Sequence, residues 1–251
     1  MNASATGTYS DAQAAALYDV LNPPGPDDAF YLELVMRAAS VLDVGCGTGR
    51  LLRSAREAGH AGRLCGVDPD PAMLELARRR SDVEWLAGTA ASMSFDDDFD
   101  LAVMMGHAFQ CPVDDDELRA SLGAIRRALV EGGRFAFETR NPGARAWEQW
   151  GETTLDAVDP SGTPVHVSYD IEDVVGDLVT LTETTSDRDL DPLRVDRATL
   201  RFLGVDELDR FLSDAGFLVE ARYGGWEGKP VADDSAELVT VAVRAPDEGS
   251  T

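Results

Sequence analysis

Between residues 40 and 140, short runs of consecutive apolar residues alternate with longer segments in which apolar residues recur every three or four positions. The apolar runs are SVLDVG, GRLCGVD, DVEWLAG, FDLAVMMG and RFAFET. Such runs predict strands buried on both faces, and the periodic segments between them predict amphipathic helices. The alternation therefore predicts a parallel sheet covered by helices on both faces, which is a three-layer α/β domain.

The residues at the ends of the predicted helices also indicate where each helix begins or ends. GRLLRSAREAG closes at Gly59, as helices often do at a glycine. The longest predicted helix, DDDELRASLGAIRRALVEGG, is acidic at its start and basic later, which suits the helix dipole. We expect this helix to be closed by the pair Gly132 and Gly133.

The pattern changes after Pro142. A short predicted helix, ARAWEQW, precedes a stretch rich in Thr, Val and Asp, in which DVVGDLV predicts a hairpin with Gly176 in its turn. GVDELDRFLSDAGF then predicts a helix, and LVEARYGGW and ELVTVAVRA predict two closing strands. The α/β domain is therefore expected at residues 41–150 and 204–245, interrupted by a β-rich insertion at residues 151–203.

The first 40 residues are predicted to form two helices. DAQAAALYDVLN follows Ser10, a good N-cap residue, and DDAFYLELVMRAA has acids in its first turn and Arg37 near its end. The last residues, 246–251, read PDEGST and are expected to be disordered.

The net charge of the chain limits the classes of partner that it is expected to bind. The chain has 251 residues, of which 46 are acidic and 22 are basic, for a formal net charge of -24. Nucleic acids and anionic membrane surfaces are bound by clustered Lys and Arg, so both are disfavoured. No window has the ~20 apolar residues of a membrane span, and the N-terminus lacks the basic and apolar regions of a signal peptide.

Three cysteines, Cys46, Cys65 and Cys111, show no spacing typical of a metal or redox site. A sparse, odd count suits a reducing compartment, so a cytoplasmic protein without a metal site is expected.

The most informative stretch is VLDVGCGTGR, residues 41–50, where an apolar strand leads into Gly45, Gly47 and Gly49. Glycines let the backbone turn sharply and lie against a ligand at the start of a helix, which is typical of nucleotide binding. The dinucleotide pattern G-x-G-x-x-G would require a glycine where Arg50 stands, and the G-K-[ST] of a P-loop is absent.

This stretch resembles the first motif of class I S-adenosylmethionine-dependent methyltransferases, which VLDVGCGTG matches position for position. The resemblance implies that Gly45, Gly47 and Gly49 line the cofactor S-adenosylmethionine, and that Asp43 holds the turn and the amino end of the cofactor. It also implies a Rossmann-like three-layer sandwich. This would contain a mostly parallel seven-stranded sheet with an antiparallel C-terminal strand. The N-terminal helices, within residues 1–40, would cover the cofactor, and the small antiparallel β insertion, residues 151–203, would act as a lid over the substrate.

A second matching position is Asp68, which ends the next strand in LCGVDPDPAML. A carboxylate at that point can accept hydrogen bonds from both hydroxyls of a ribose, although it can also cap a helix. The resemblance places Met73 against the adenine, with core packing as the alternative. Cys46 and Pro69 adjoin these positions and are included among the expected cofactor-binding residues.

Two further regions complete the expected cofactor site. In WLAGTAASMSF the family's usual acid is replaced by Thr89, so the adenine contact would come from Thr89 or from Ala90. In FDLAVMMGHAFQ, Met105 and Gly106 are implied to lie beside the methyl donor. The stretch Gly-His-Ala-Phe-Gln also resembles a group of bacterial small-molecule methyltransferases.

His107 is the candidate general base, because His titrates near neutral pH and this one ends a strand of the sheet. The alternative is a structural histidine under the lid. His60 is expected at the surface. Tyr18 either binds the methionine carboxylate of the cofactor from above or packs in the core.

Four residues border the expected acceptor pocket, and all follow the fourth and fifth strands: Phe109, Arg140, Asn141 and Trp147. An Arg beside an aromatic ring could hold a carboxylate or an aromatic ring of the acceptor, or it could form a surface salt bridge.

The resemblance thus implies a methyltransferase that moves a methyl group by in-line displacement to an N or O atom of a small molecule, and we expect a monomer or homodimer. Three alternatives stay open: a non-catalytic cofactor-binding protein, a protein methyltransferase and an NAD-dependent oxidoreductase.

Overall fold

The computed structural model describes residues 4–246. The described strands are β1 Ser4–Gly7, β2 Ser40–Val44, β3 Arg63–Asp68, β4 Glu84–Ala87, β5 Phe99–Met104, β6 Leu129–Arg140, β7 Thr154–Val158, β8 Pro164–Val175, β9 Leu178–Ser186, β10 Pro192–Arg201, β11 Phe217–Tyr223 and β12 Glu237–Arg244. The described α-helices are α1 Asp11–Leu21, α2 Pro26–Arg37, α3 Arg50–Glu57, α4 Pro71–Ala77, α5 Asp115–Ala128, α6 Trp147–Trp150 and α7 Val205–Asp214. The predicted tail, 246–251, lies outside the described residues apart from residue 246.

The main sheet has the strand order β11-β12-β6-β5-β2-β3-β4. The neighbours β6-β5, β5-β2, β2-β3 and β3-β4 are parallel, whereas β12 runs antiparallel to both β6 and β11. The predicted mixed α/β architecture with a mostly parallel sheet is confirmed. The continuous apolar runs are explained by burial, since β2 and β3 are buried along nearly their whole length.

Helices cover both faces of the main sheet. Apolar residues of α5 and α7, including Leu122 and Phe211, pack on one face around Phe135 and Phe137. Apolar residues of α2 and α3 pack on the other face. The C-terminal ends of β2, β3 and β5 are thereby held at one edge of a rigid three-layer core, which is where open α/β sheets place their ligands.

A second sheet has the order β1-β10-β9-β8-β7, and every neighbouring pair in it is antiparallel. Strands β7 to β10 come from the predicted insertion, and Gly176 has a φ of +62° in the turn between β8 and β9, as the hairpin prediction requires. The expectation of only helices in residues 1–40 is wrong, because β1 pairs with β10. Its four residues, SATG, carry no apolar alternation that would reveal a strand.

The N-terminal segment ties the second sheet to the rest of the protein. Tyr9 and Leu17 pack with Val165 and Val167 of β8 in one apolar cluster. The hydroxyl of Tyr9 donates a hydrogen bond to Asp159 Oδ2 at 2.9 Å, and both residues are buried. Helix α1 therefore lies between the second sheet and the main domain.

Two local predictions are corrected. Helix α5 ends at Ala128, before the glycine pair, because buried Leu129 is already extended and pairs with Phe99. His60 is buried rather than at the surface, and its Nε2 donates a hydrogen bond to the carbonyl of Ala38 at 2.8 Å.

Within residues 4–246, no helix is both long and apolar enough to cross a membrane. Over the same residues, no group of three or more His, Cys, Asp or Glu side chains could hold a metal ion.

Candidate functional site

The glycine turn connects β2 to α3, and its three glycines have φ angles of +75°, +52° and +75°. A side chain on Gly49 would place its Cβ 2.4 Å from the ring of Trp85, and one on Gly45 would lie 2.9 Å from the Cβ of Ala108. At Gly47, apart from its two chain neighbours, no atom of the described residues lies within 4 Å of the Cβ position, so the turn is open there. The turn thus needs glycine for its backbone angles and for packing, and it leaves open space at its centre.

Asp43, the acid before the turn, is 1% exposed, and within residues 4–246 neither of its carboxylate oxygens has a hydrogen-bond partner. Burial, together with the nearby charges of Asp68 and Glu138, raises the pKa of Asp43 from 3.8 to about 8. A buried carboxylate without a partner is costly, so its presence beside an open turn favours a cationic or hydrogen-bond-donating ligand.

Asp68 lies at the end of β3 and links two parts of the site. Its Oδ2 accepts the N–H of Gly47 and its Oδ1 accepts the N–H of Asp70, each at 2.8 Å. Burial raises the pKa of Asp68, and these two hydrogen bonds oppose that rise. Each carboxylate oxygen has a second lone pair, so Asp68 keeps the capacity to accept from a ligand.

The other expected cofactor residues surround this edge of the sheet. Cys46 is buried behind the turn, Pro69 is exposed, and Met73 is half-buried in the first turn of α4. After β4, Thr89 is exposed and its N–H donates to Ser92 Oγ, whereas Ala90 is buried.

Helix α1 contacts the edge of the main sheet at which the glycine turn lies. The hydroxyl of Tyr18 lies 3.4 Å from the position that a Cβ on Gly106 would take. Thr48 of the glycine turn donates a hydrogen bond to Asp19 at 2.8 Å. The structure therefore brings Tyr18 to the end of β5, beside Gly106.

His107 follows β5 in a left-handed conformation with φ +60°. Its backbone N–H donates to Glu138 Oε1 at 2.8 Å, and its Nε2 lies 3.0 Å from Glu237 Oε2. Because a carboxylate only accepts hydrogen bonds, Nε2 is the donor of this pair, and Nδ1 is the nitrogen that a neutral ring would offer as an acceptor. A neutral imidazole held in this way can accept a proton from another group.

Sequence reasoning missed the three side chains that hold this histidine segment: Tyr31, Glu138 and Glu237. The carboxylate of Glu138 is 1% exposed and also accepts a hydrogen bond from the hydroxyl of Tyr31. Burial raises its pKa, and the proximity of His107 and the bond from Tyr31 lower it. An acid inside the apolar run RFAFET was a signal for Glu138, whereas nothing local marks Glu237 or Tyr31.

Arg140 is half-buried at the end of β6. Its Nη1 donates to Gln110 Oε1 at 3.0 Å, and its guanidinium carbon lies 5.0 Å from the ring centre of Trp150. Burial lowers the pKa of Arg140, and the charges of Glu237 and Glu138 oppose that effect. Trp150, and not Trp147, is the aromatic partner of this arginine.

The other three residues expected at the acceptor pocket have packing roles instead. Phe109 is buried and stacks on Phe137 with ring centres 4.2 Å apart. The side chain of Asn141 accepts the N–H of Gly143 and donates to carbonyls of residues 232, 233 and 235, so it holds a loop. Trp147 is buried against Phe202.

A cavity of about 390 Å³ lies between the start of α5 and the second sheet. Its lining residues are Cys111, Val113, Glu117, Asp173, Val175, Leu178, Thr180 and Thr199. None of them belongs to the set predicted from the sequence, so this cavity is separate from the glycine turn.

Comparison with known proteins finds a family whose model matches part of the chain and solved structures that share its fold. Residues 41–133 match the family described as Methyltransferase domain. The 2-phytyl-1,4-naphtoquinone methyltransferase of Thermosynechococcus vestitus is 37% identical over 126 residues, which are 48% of this chain and 54% of that protein. The match thus spans about half the length of this curated relative.

Two solved structures share the fold over nearly the whole chain. An S-adenosylmethionine-dependent methyltransferase from Clostridium acetobutylicum aligns with a TM-score of 0.74 at 19% identity, covering 93% of this chain and 98% of its own. The S-adenosylmethionine-bound amino pentose methyltransferase CalS10 of Micromonospora echinaspora aligns with a TM-score of 0.68 at 22% identity, covering 91% of this chain and 97% of its own. Residues 41–133 are therefore similar to a methyltransferase domain, and the solved structures show a shared fold.

Proposed function

We propose that this protein is an S-adenosylmethionine-dependent methyltransferase that transfers a methyl group by in-line displacement to an N or O atom of a small molecule. The observation that carries the proposal is the pair of buried carboxylates, Asp43 and Asp68, on either side of an open glycine turn. The match of residues 41–133 to a methyltransferase family supports it.

The residues of this edge fit the chemistry of the cofactor. The amino-acid end of S-adenosylmethionine carries an ammonium group, and Asp43 is a buried carboxylate without a partner. The ribose offers two hydroxyl donors, and the oxygens of Asp68 have lone pairs to accept them. Gly47 leaves room for the ligand, and Tyr18 covers the end of β5 near it.

When bound, the cofactor supplies a methyl group that is already activated by a positive sulfur. The residues of the chain then have two tasks, which are to align the acceptor and to remove its proton. Alignment alone is worth up to ~7–11 kcal/mol in well-oriented systems. His107, with its tautomer set by Glu237, is the group that would take the proton from a hydroxyl or a protonated amine.

The fold also supports a small acceptor rather than a polymer. Helix α1 packs on the second sheet and reaches the end of β5, so the two would form a roof that limits the size of the acceptor. The net charge of -24 opposes a nucleic-acid substrate. The relatives differ in acceptor, since one is named for a naphthoquinone and another for an amino pentose. The acceptor of this chain therefore has to be found by experiment.

The first test is calorimetry of the purified protein with S-adenosylmethionine and with NAD. We expect micromolar binding of S-adenosylmethionine and no binding of NAD. Asp68→Asn should abolish that binding, because its amide cannot accept from both backbone N–H groups and a ribose. Asp82→Asn is the matched control, since Asp82 is exposed and pairs with Arg80 away from the turn.

The second test separates an enzyme from a cofactor-binding protein. Incubation with a panel of small amines and hydroxyl compounds should form S-adenosylhomocysteine, measured by mass spectrometry, with a methylated product of matching mass. Binding of NAD alone, or of neither compound, would overturn the assignment of the glycine turn.

A further inference from the structure

We propose that the methyl acceptor carries a carboxylate and that the guanidinium of Arg140 binds it. This inference rests on the methyltransferase function proposed above and names the chemical class of its acceptor.

The first argument is the way in which Arg140 is held. Gln110 is fully buried, and its amide nitrogen donates to the carbonyl of Arg201 at 2.9 Å. Its oxygen is thereby turned toward Arg140 and accepts from both the backbone N–H and Nη1. Trp150 lies over the guanidinium. These contacts orient the cation without neutralising it, because an amide and an indole carry no charge.

The second argument is the contrast with other enclosed arginines of this acidic chain. Arg50 forms an ion pair with Asp28, Arg201 pairs with Asp115 and Asp177, and Arg222 pairs with Asp209. Arg140 is the exception, since no acidic side chain of residues 4–246 lies within ion-pair distance of its guanidinium. In a chain with 46 acids and 22 bases, an enclosed arginine without a carboxylate is unusual.

The third argument is that the nearest carboxylates are already engaged. Glu237 stands opposite Arg140 in the register of β12 and β6, yet its two oxygens lie 3.0 and 3.1 Å from His107 Nε2. Glu138 accepts from Tyr31 and from the N–H of His107. The cation therefore keeps N–H donors for a ligand.

The position of this cation gives it a role in the reaction. Gln110 follows His107 by three residues, and Glu237 links the imidazole to the strand position opposite Arg140. Trp150 packs toward Phe202 beside the second sheet. Arg140 is thus connected to the segment of the candidate base through Gln110, whose N–H donates to the carbonyl of His107, and to the region of the second sheet through Trp150. A planar guanidinium suits a carboxylate through two parallel hydrogen bonds. A carboxylate bound there would fix one end of the acceptor, with its amine or hydroxyl left to face His107.

The test uses the full chain saturated with S-adenosylhomocysteine, with benzoate and methyl benzoate as probes that share the phenyl ring and the carboxyl carbon but differ in charge. Binding is measured by ligand-observed NMR and by calorimetry. We expect benzoate to bind at least 10-fold more tightly than methyl benzoate. Arg140→Met should weaken benzoate at least 10-fold, and Arg140→Lys should recover part of the loss because it keeps the charge without the planar fork.

Arg134→Met is the matched control, since Arg134 lies on the same strand and pairs with Glu220 at the surface. Benzoate binding equal to that of methyl benzoate, absence of benzoate binding to the cofactor-loaded protein, or equal binding in Arg140→Met would each overturn the inference. The comparison of the two probes on the wild type decides the matter even if Arg140→Met does not fold. Failure of S-adenosylhomocysteine itself to bind would instead overturn the proposed function.

Discussion

The unpartnered carboxylate of Asp43 should make the cofactor-free protein less stable as the pH rises. Its pKa in the folded protein is about 8, against an ordinary value of 3.8, with burial as the largest cause. A raised pKa means that the folded state holds a proton that the unfolded state has lost. This contribution to stability is fully present below about pH 4 and is lost as the pH rises through about 8.

The size of the stability change follows from the pH range between the ordinary pKa of 3.8 and the folded-state pKa of about 8, which is the window in which Asp43 is protonated only in the folded protein. Each pH unit inside it lowers the free energy of unfolding by about 1.4 kcal/mol. Between about pH 5.5 and about pH 7.5 the contribution of Asp43 should therefore fall by about 2–3 kcal/mol. Asp43→Asn has nearly the same shape and cannot ionise, so the stability of the variant relative to the wild type should rise by that amount.

The assay is denaturant unfolding of the wild type and Asp43→Asn at the two pH values. Only the difference between the two proteins is used, because other groups titrate in both. Asp82→Asn serves as a control, since the bond from Arg80 lowers the pKa of Asp82 and leaves no change to expect in this window. A wild-type-to-variant difference that is the same at both pH values would refute a buried, protonated Asp43.

The same residue links stability to ligand binding. If the ammonium group of the cofactor pairs with Asp43, binding should favour the ionised carboxylate and release close to one proton near neutral pH. Calorimetry in two buffers of different ionisation enthalpy measures that release, and Asp43→Asn should abolish it.

Three further results are expected. His107→Gln should lower kcat toward an identified acceptor by about 100-fold or more while leaving calorimetric affinity for S-adenosylmethionine unchanged; a folded variant with wild-type kcat would rule out His107 as the base. Phe109→Ala should lower the free energy of unfolding by about 3–5 kcal/mol in denaturant titrations, because the ring fills the core against Phe137; a cost below ~1 kcal/mol would argue for a pocket position. Tyr9→Phe should cost about 1–2 kcal/mol by the same titration, since it removes the donor to buried Asp159, and an unchanged midpoint would contradict this role.

Several features could be predicted from the local sequence alone. The continuous apolar strands and periodic helices predicted the mostly parallel sheet, because burial on both faces leaves a pattern in each strand by itself. The turn at Gly45, Gly47 and Gly49 was readable because its left-handed backbone angles demand glycine at those positions. The place of Asp68 beside this turn could be predicted because it ends the next parallel strand, and parallel strands end at the same edge of the sheet.

Only the tertiary structure decided which side chains meet there. His107 is held by Glu237, which is 130 residues away, and this contact depends on where β12 lies in the sheet. Strand β1 was not predicted because its partner β10 is remote and its four residues show no pattern. Phe109 and Asn141 border the site in sequence but point into the core and a loop. The hydrophobic pattern of a segment reflects only which of its faces are buried. Which side chains come into contact depends on how segments that are distant in the sequence pack together.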